Sequence, residues 1–265
     1  MKQAYTTVLQ LTDLHLFAET EGLFNGINTR DSFASVLNHV QQHYVPPDVI
    51  VITGDLAHDG KLATYQFIAD SLKPFNAPVY CVLGNHDNYE NAHQVYPLMP
   101  ITIDQHCLLD SWQIILIDSN HLSRPDNYEG EVSEAELQRL EELLARHSDK
   151  WTLIGMHHNL PAHDDRGVSF EVRNYQQVMA CFEQKPKLKL VLSGHVHQEF
   201  VIVQNGICYL STPSTGYQSL SKSGQVTHEA PGYRWLKLYQ NGCFETDVRR
   251  VTVWASYIKK IRRTV

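Results

Sequence analysis

Val49-Ile50-Val51-Ile52, running into Thr53-Gly54-Asp55, is the stretch whose reading decides the fold. Four consecutive β-branched residues leave no polar face, so the run reads as a central strand covered on both sides. A carboxylate arrives just past its end. The arrangement recurs along the chain. Val8-Leu9-Gln10-Leu11 leads to Asp13-Leu14-His15, and Val79-Tyr80-Cys81-Val82-Leu83 leads to Gly84-Asn85-His86-Asp87. Trp151-Thr152-Leu153-Ile154 precedes Met156-His157-His158, and Leu188-Lys189-Leu190-Val191-Leu192 precedes Gly194-His195-Val196-His197. Carboxylate, amide and imidazole groups are therefore expected together at one edge of one sheet.

Helices fill the gaps between these strands. Phe33, Val36, Leu37 and Val40 recur at helical spacing after Asn28 or Thr29 as N-cap, and Pro46-Pro47 closes that element. Leu62, Tyr65, Ile68 and Leu72 mark a second helix that stops before Pro74. Ile114 to Ile117 is a further strand. Ser133 followed by Glu136 is a capping box, opening a helix with Leu137, Leu140, Leu143 and Leu144. After His197 the pattern shortens into alternating runs at 199–204, 207–210, 233–239 and 244–253, with Asn205-Gly206 and Asn241-Gly242 as hairpin turns. The count fits an α/β domain of two mixed sheets packed face to face and flanked by helices, a four-layer α-β-β-α sandwich. One domain is expected over residues 1–265, with a short C-terminal extension from about 250.

Composition narrows the function classes. The chain has 265 residues, 43% hydrophobic and 19% charged, which is ordinary for a globular protein able to bury its own core. No stretch approaches the roughly 18 apolar residues of a membrane-spanning helix. Met1-Lys2-Gln3-Ala4-Tyr5 carries no apolar signal core, so a cytoplasmic protein is expected. The net charge of −7 argues against a nucleic-acid partner held by a broad basic surface. It leaves room for an anionic substrate, because two divalent metals reverse the sign locally. The five cysteines are widely spaced with no CxxC, and read as reduced thiols.

The motif residues are metal-ligand types. In Asp13-Leu14-His15 the polar groups are two apart, so an extended segment turns both the same way, and His195-Val196-His197 repeats the spacing. Asp55 has two carboxylate oxygens and can bridge two cations. Asn85 offers a neutral amide oxygen, and His157 follows a later strand in the equivalent place. Mixed imidazole and oxygen donors suit manganese, iron or zinc better than calcium or magnesium. Each residue has a plainer reading as a turn, cap or surface residue, and the chain holds 15 histidines. It is the set, in order, that carries the signal.

That order, DxH, GD, GNHD, HH and GHVH, resembles the calcineurin-like metallophosphoesterase superfamily, and more narrowly the bacterial class III 3′,5′-cyclic-AMP phosphodiesterases. The narrower likeness rests on Leu11 to Phe17, Gly26-Ile27-Asn28-Thr29, Thr53 to Ala57, His157-His158-Asn159-Leu160-Pro161, Ser211 to Thr215 and Pro231-Gly232-Tyr233-Arg234. The resemblance implies two metals, iron or manganese with zinc as an alternative. One falls to Asp13, His15 and His197, the other to Asn85, His157 and His195, with Asp55 bridging. It implies that His86 is a non-ligand general acid and that Asp87 orients it. It further implies a hydrolase that opens the 3′ ester of a cyclic nucleotide, cAMP above others, by in-line attack of a hydroxide shared by the metals.

Asn85, His86 and His197 are expected to touch substrate as well, and His58 and His158 are added because each adjoins a motif. Base selection is expected from loops near 16–30 and 213–232, where Gly216 to Ala230 has no counterpart in the resemblance. The alternatives are another phosphodiesterase on the same scaffold, acting on glycerophosphodiesters, 2′,3′-cyclic nucleotides or a broad range of diesters, and a scaffold protein without catalysis. Lys259-Lys260-Ile261-Arg262-Arg263 reads as a solvated tail, and Trp254, Tyr257 and Ile258 offer a homodimer contact.

Overall fold

The computed structural model describes residues 5–98, 100–103, 105–120, 129–160, 172–218 and 229–252. The tail from 253, with its basic run and aromatic residues, lies outside them. In chain order the elements are β1 (Tyr5–Leu11), β2 (Leu23–Phe24), β3 (Ile27–Asn28), α1 (Thr29–His43), β4 (Val49–Thr53), α2 (Leu62–Leu72), β5 (Val79–Val82), α3 (Tyr89–Val95) and β6 (Ile101–Ile103). There follow β7 (His106–Leu108), β8 (Trp112–Leu116), α4 (Glu134–Arg146), β9 (Trp151–Gly155), α5 (Tyr175–Phe182), β10 (Leu188–Ser193), β11 (Phe200–Gln204), β12 (Ile207–Ser211), β13 (Gly232–Tyr239) and β14 (Phe244–Arg250).

The long strands form two mixed six-stranded sheets. One runs β14-β13-β1-β4-β5-β6 and the other β11-β12-β10-β9-β8-β7. Alternation along β4 explains the layering. Ile50 and Ile52 face the cluster shared with Phe33, Val36 and Val40 of α1 and Tyr65, Ile68 and Leu72 of α2. Val49 and Val51 face inward, against Ile114 and Leu116 of β8, Leu153 of β9 and Leu190 and Leu192 of β10. A third cluster joins the outer face of the second sheet, through Ile115, Ile154 and Val191, to Leu140 and Leu144 of α4 and Val178 and Phe182 of α5. The result is the expected α-β-β-α sandwich, with β4 apolar on both faces because it is covered on both.

Local signals behave mostly as read. Asn28 caps α1, its side chain accepting from Asp31 N, and α2 ends at Leu72 ahead of Pro74. Asn205 and Gly206 adopt φ of 53° and 78° between β11 and β12, as a two-residue hairpin turn demands. The capping box is half made: Ser133 accepts from Glu136 N, but Glu136 Oε1 accepts from Asp118 N instead of reaching back. The small β2–β3 hairpin turns through Asn25 and Gly26, with φ of 48° and 82°. That Asn-Gly pair is the hairpin's sequence signal.

Candidate metal centre

Five loops build the centre, each leaving the C-terminal end of a strand. Those after β1, β4 and β5 carry Asp13, His15, Asp55, Asn85 and His86. Those after β9 and β10 carry His157, His195 and His197. Three loops belong to the first sheet and two to the second. The centre therefore lies where the two facing sheets end, and not at one edge of one sheet.

The backbone there is not extended. Asp13, His15, Asp55, His195 and His197 all take left-handed φ, between 44° and 67°. Each costs an L-residue roughly 1–2 kcal/mol, so the surroundings must hold them. They do so by hydrogen bonds. Asp13 N donates to Gly54 O at 3.0 Å, His15 N to Asp55 O at 2.9 Å and His58 N to Leu16 O at 2.8 Å. Ser214 Oγ donates to Asp13 O at 2.6 Å and Thr29 Oγ1 to His15 O at 2.9 Å. His195 N lies 3.0 Å from both Asp13 carboxylate oxygens. Asp13 with His15, and His195 with His197, thus converge through left-handed turns and not through the extended i, i+2 geometry expected above.

The donor atoms meet in two overlapping groups. In the first, His15 Nε2 stands 3.0 Å from His197 Nε2 and 3.4 Å from Asp55 Oδ2, and His197 Nε2 is 3.3 Å from Asp13 Oδ1. In the second, His157 Nε2 lies 3.1 Å from Asn85 Oδ1, 3.2 Å from His195 Nδ1 and 3.5 Å from Asp55 Oδ2. Asp55 Oδ2 belongs to both. Asp13, His15, Asp55 and His197 are all buried.

This donor set fits cations. His157 Nδ1 donates to Thr53 O at 2.8 Å and His197 Nδ1 to Tyr217 O at 2.7 Å. A carbonyl can only accept, so each neutral ring keeps its proton outside and turns the Nε2 lone pair inward. Lone pairs and carboxylates crowded together out of water require positive charge. The titration behaviour says the same. Burial works against a charge on His157, yet Asp55 and Asp13 push it up to about 10. Burial likewise opposes ionisation of Asp55, but His157 and His15 hold its carboxyl well below the usual range. Burial pushes His15 down to about 3, with Asp55 opposing.

The neighbouring expected residues divide. His86 is at the rim, its N–H donating to Asp55 Oδ1 at 3.0 Å and its ring stacked on His58 at 4.9 Å. The Asp87 carboxylate is occupied by backbone amides and a hydroxyl. It accepts from Leu56 N (3.0 Å), Ala57 N (2.8 Å), Gly84 N (2.9 Å) and the Tyr65 hydroxyl (3.0 Å), tying the Asp55 loop to the Asn85 loop. Burial and the nearby Asp55 charge raise it to about 6. His158 is fully buried, with Nδ1 2.9 Å from Ser119 Oγ and its ring packed on His157 and His195. It backs two of the converging rings and has no surface for substrate. Phe24 of β2 stacks on His15 at 4.3 Å and meets Tyr217 edge-on, so the 16–30 loop does cover the site. Residues 219–228, part of the other expected base-selecting loop, lie outside the described ones.

Beneath the centre runs a buried polar chain that the motifs do not reveal. Arg234 Nε donates to Thr212 Oγ1, Thr212 to Gln10 Oε1, and Gln10 Nε2 to Thr53 Oγ1 and Ser193 O. Thr53 is the residue whose carbonyl holds His157. Burial lowers the Arg234 guanidinium to about 10.

Comparison with known proteins agrees with this geometry. The sequence model of the calcineurin-like phosphoesterase family matches residues 6–199. The 3′,5′-cyclic adenosine monophosphate phosphodiesterase CpdA of Escherichia coli K12 is 35% identical over 253 residues, covering 94% of this chain and 91% of that protein. The protein of the same name from Haemophilus influenzae is 33% identical, over 92% of this chain and 89% of that one. A dimetal phosphatase from Danio rerio shares the fold, with a TM-score of 0.58, 13% identity, and coverage of 93% of this chain and 99% of that one. The chain belongs to the calcineurin-like phosphoesterase family. Among the described residues no helix is long and apolar enough to cross a membrane.

Proposed function

We propose that this protein is a cytoplasmic, metal-dependent 3′,5′-cyclic-nucleotide phosphodiesterase that hydrolyses cAMP to 5′-AMP. The observation that carries the reading is the pair of donor groups sharing Asp55 Oδ2, with His86 at their rim beside His15 and His58. In this reading Asp13, His15 and His197 hold one ion, Asn85, His157 and His195 the other, and Asp55 both. Mixed nitrogen and oxygen donors point to iron or manganese, with zinc as an alternative.

When bound, the two ions supply Lewis-acid charge for the phosphoryl oxygens and a lowered water pKa. The chain's own residues do the rest. Asp55, Asp13 and the inward-facing rings hold the site in one arrangement before substrate arrives. His86 gives a proton to the departing 3′ oxygen, a step typically worth about 10²–10⁴-fold. Its ring is held for this by the His58 stack and by the backbone bond to Asp55. Phe24 and Tyr217 shield one side with aromatic surface suited to a base. The two bacterial relatives named above carry the name of cAMP phosphodiesterases, which favours that substrate over other diesters on the same scaffold.

Turnover of 3′,5′-cAMP, 3′,5′-cGMP, 2′,3′-cAMP and a glycerophosphodiester by the metal-loaded protein tests the reading. cAMP should be cleaved with the highest kcat/KM. Negligible cAMP turnover beside rapid cleavage of another diester would overturn it.

A further inference from the structure

His15 differs from His157 and His197 in what stands behind it. His157 and His197 are each backed by a backbone carbonyl, Thr53 O and Tyr217 O. Nδ1 of His15 instead meets Nδ1 of His58 at 3.2 Å. A contact between two ring nitrogens holds one proton. With His15 Nε2 turned into the donor group that would hold an ion, the ring's proton is left to Nδ1, and His58 Nδ1 accepts it. His58 is held to the task. Its backbone N–H donates to Leu16 O, and its ring packs between His86 and Phe24, at 4.9 Å and 4.5 Å, with Phe17 at 4.9 Å.

We propose that His58 is a positioning residue for His15, serving this ring as the two carbonyls serve His157 and His197. The proposal rests on reading the centre as metal-binding. It moves His58 out of the substrate-binding role expected from its place beside a motif. Its Nδ1 is spent on His15, its proton lies on Nε2, and its ring face supports His86. One side chain thereby couples the setting of a metal ligand to that of the proposed acid. The outer hydrogen-bond partner of a ligating histidine is typically worth roughly 10–100-fold in metal affinity.

The test is titration of the metal-free protein with Co²⁺, followed by calorimetry and by the visible spectrum of the bound ion, in wild type, His58→Phe and His58→Gln. Phenylalanine keeps ring packing and removes the acceptor; glutamine restores an acceptor oxygen. One of two binding steps should weaken by roughly 10–100-fold in His58→Phe, with an altered spectrum, while the other step holds. His58→Gln should recover most of the loss. Wild-type affinity in both steps for His58→Phe would overturn the proposal, as would a loss that glutamine fails to restore. Failure of the wider metal reading looks different: wild-type protein would then take up no Co²⁺ at all.

Discussion

Gly194→Ala should damage the centre without removing any of its donors. An added Cβ would overlap Thr12 Oγ1, lie 2.5 Å from Asp13 Oδ2 and stand 3.0 Å from Thr53 O. Thr12 is fully buried, and its hydroxyl sits 2.8 Å from Asp13 Oδ2 and 3.1 Å from Thr53 O. Displacing it forfeits about 1 kcal/mol of hydrogen bonding. Asp13 must also retreat by several tenths of an ångström, against the His195 N–H that holds its oxygens. Overpacking of this kind costs about 1–3 kcal/mol. Together these give a loss of about 2–4 kcal/mol, or a Tm lowered by roughly 5–15 °C in a chain of this size. Metal affinity should fall with it, because Asp13 is the group pushed. Gly206→Ala is the control. Its φ is +78° with nothing within 4 Å of the new Cβ, so it should cost only the backbone strain of about 1–2 kcal/mol and leave metal binding alone. Thermal unfolding and metal titration of both variants decide the matter. If Gly194→Ala matched Gly206→Ala in both, the close approach of this loop to Asp13 would not matter as argued.

Three more outcomes can be stated. His86→Ala should keep both ions, counted by metal analysis, yet slow cleavage of a diester with a poor leaving group by roughly 10²–10⁴-fold; full activity would remove His86 from the acid role. Asp87→Ala leaves three backbone N–H groups without their acceptor, at about 1–3 kcal/mol each, so chemical denaturation should show a loss of at least about 3 kcal/mol; a loss under about 0.5 kcal/mol would contradict its part in joining the two loops. Metal loading should also release protons. His157 is held up to about 10 in the metal-free protein, so near neutrality it carries a proton that a cation must displace, and affinity should rise as the pH is raised toward that value. Calorimetry in buffers of different ionisation enthalpy should find at least one proton released, and buffer-independent heats would refute this.

The layers and donor residues were legible for a simple reason. β4 is apolar on both faces, and the runs before His157 and His195 are mostly apolar and buried, so the strands announce themselves and the polar residues beyond them stand out. What was hidden is conformational or long-range. Nothing in Asp13-Leu14-His15 marks two left-handed residues, since only tertiary hydrogen bonds such as those from Ser214 and Thr29 sustain them. Asp87 reads as the neighbour of His86, but besides the nearby Gly84 N its partners are two amides about thirty residues away and the hydroxyl of Tyr65, a residue read as helix core. The two-sheet placement of the centre was similarly out of reach, because a motif after a strand does not say which sheet that strand joins. β6 and β7, three residues each, are too short for any periodicity.

The central claim is that the centre opens a 3′,5′-cyclic phosphodiester at its 3′ oxygen. Phosphorus NMR and mass spectrometry of the product formed from 3′,5′-cAMP in heavy-oxygen water test it most directly. The account requires 5′-AMP carrying a single heavy oxygen on its phosphate, formed by the metal-loaded protein and lost when the metals are stripped. Formation of 3′-AMP, or cAMP left intact by fully loaded protein, would contradict it.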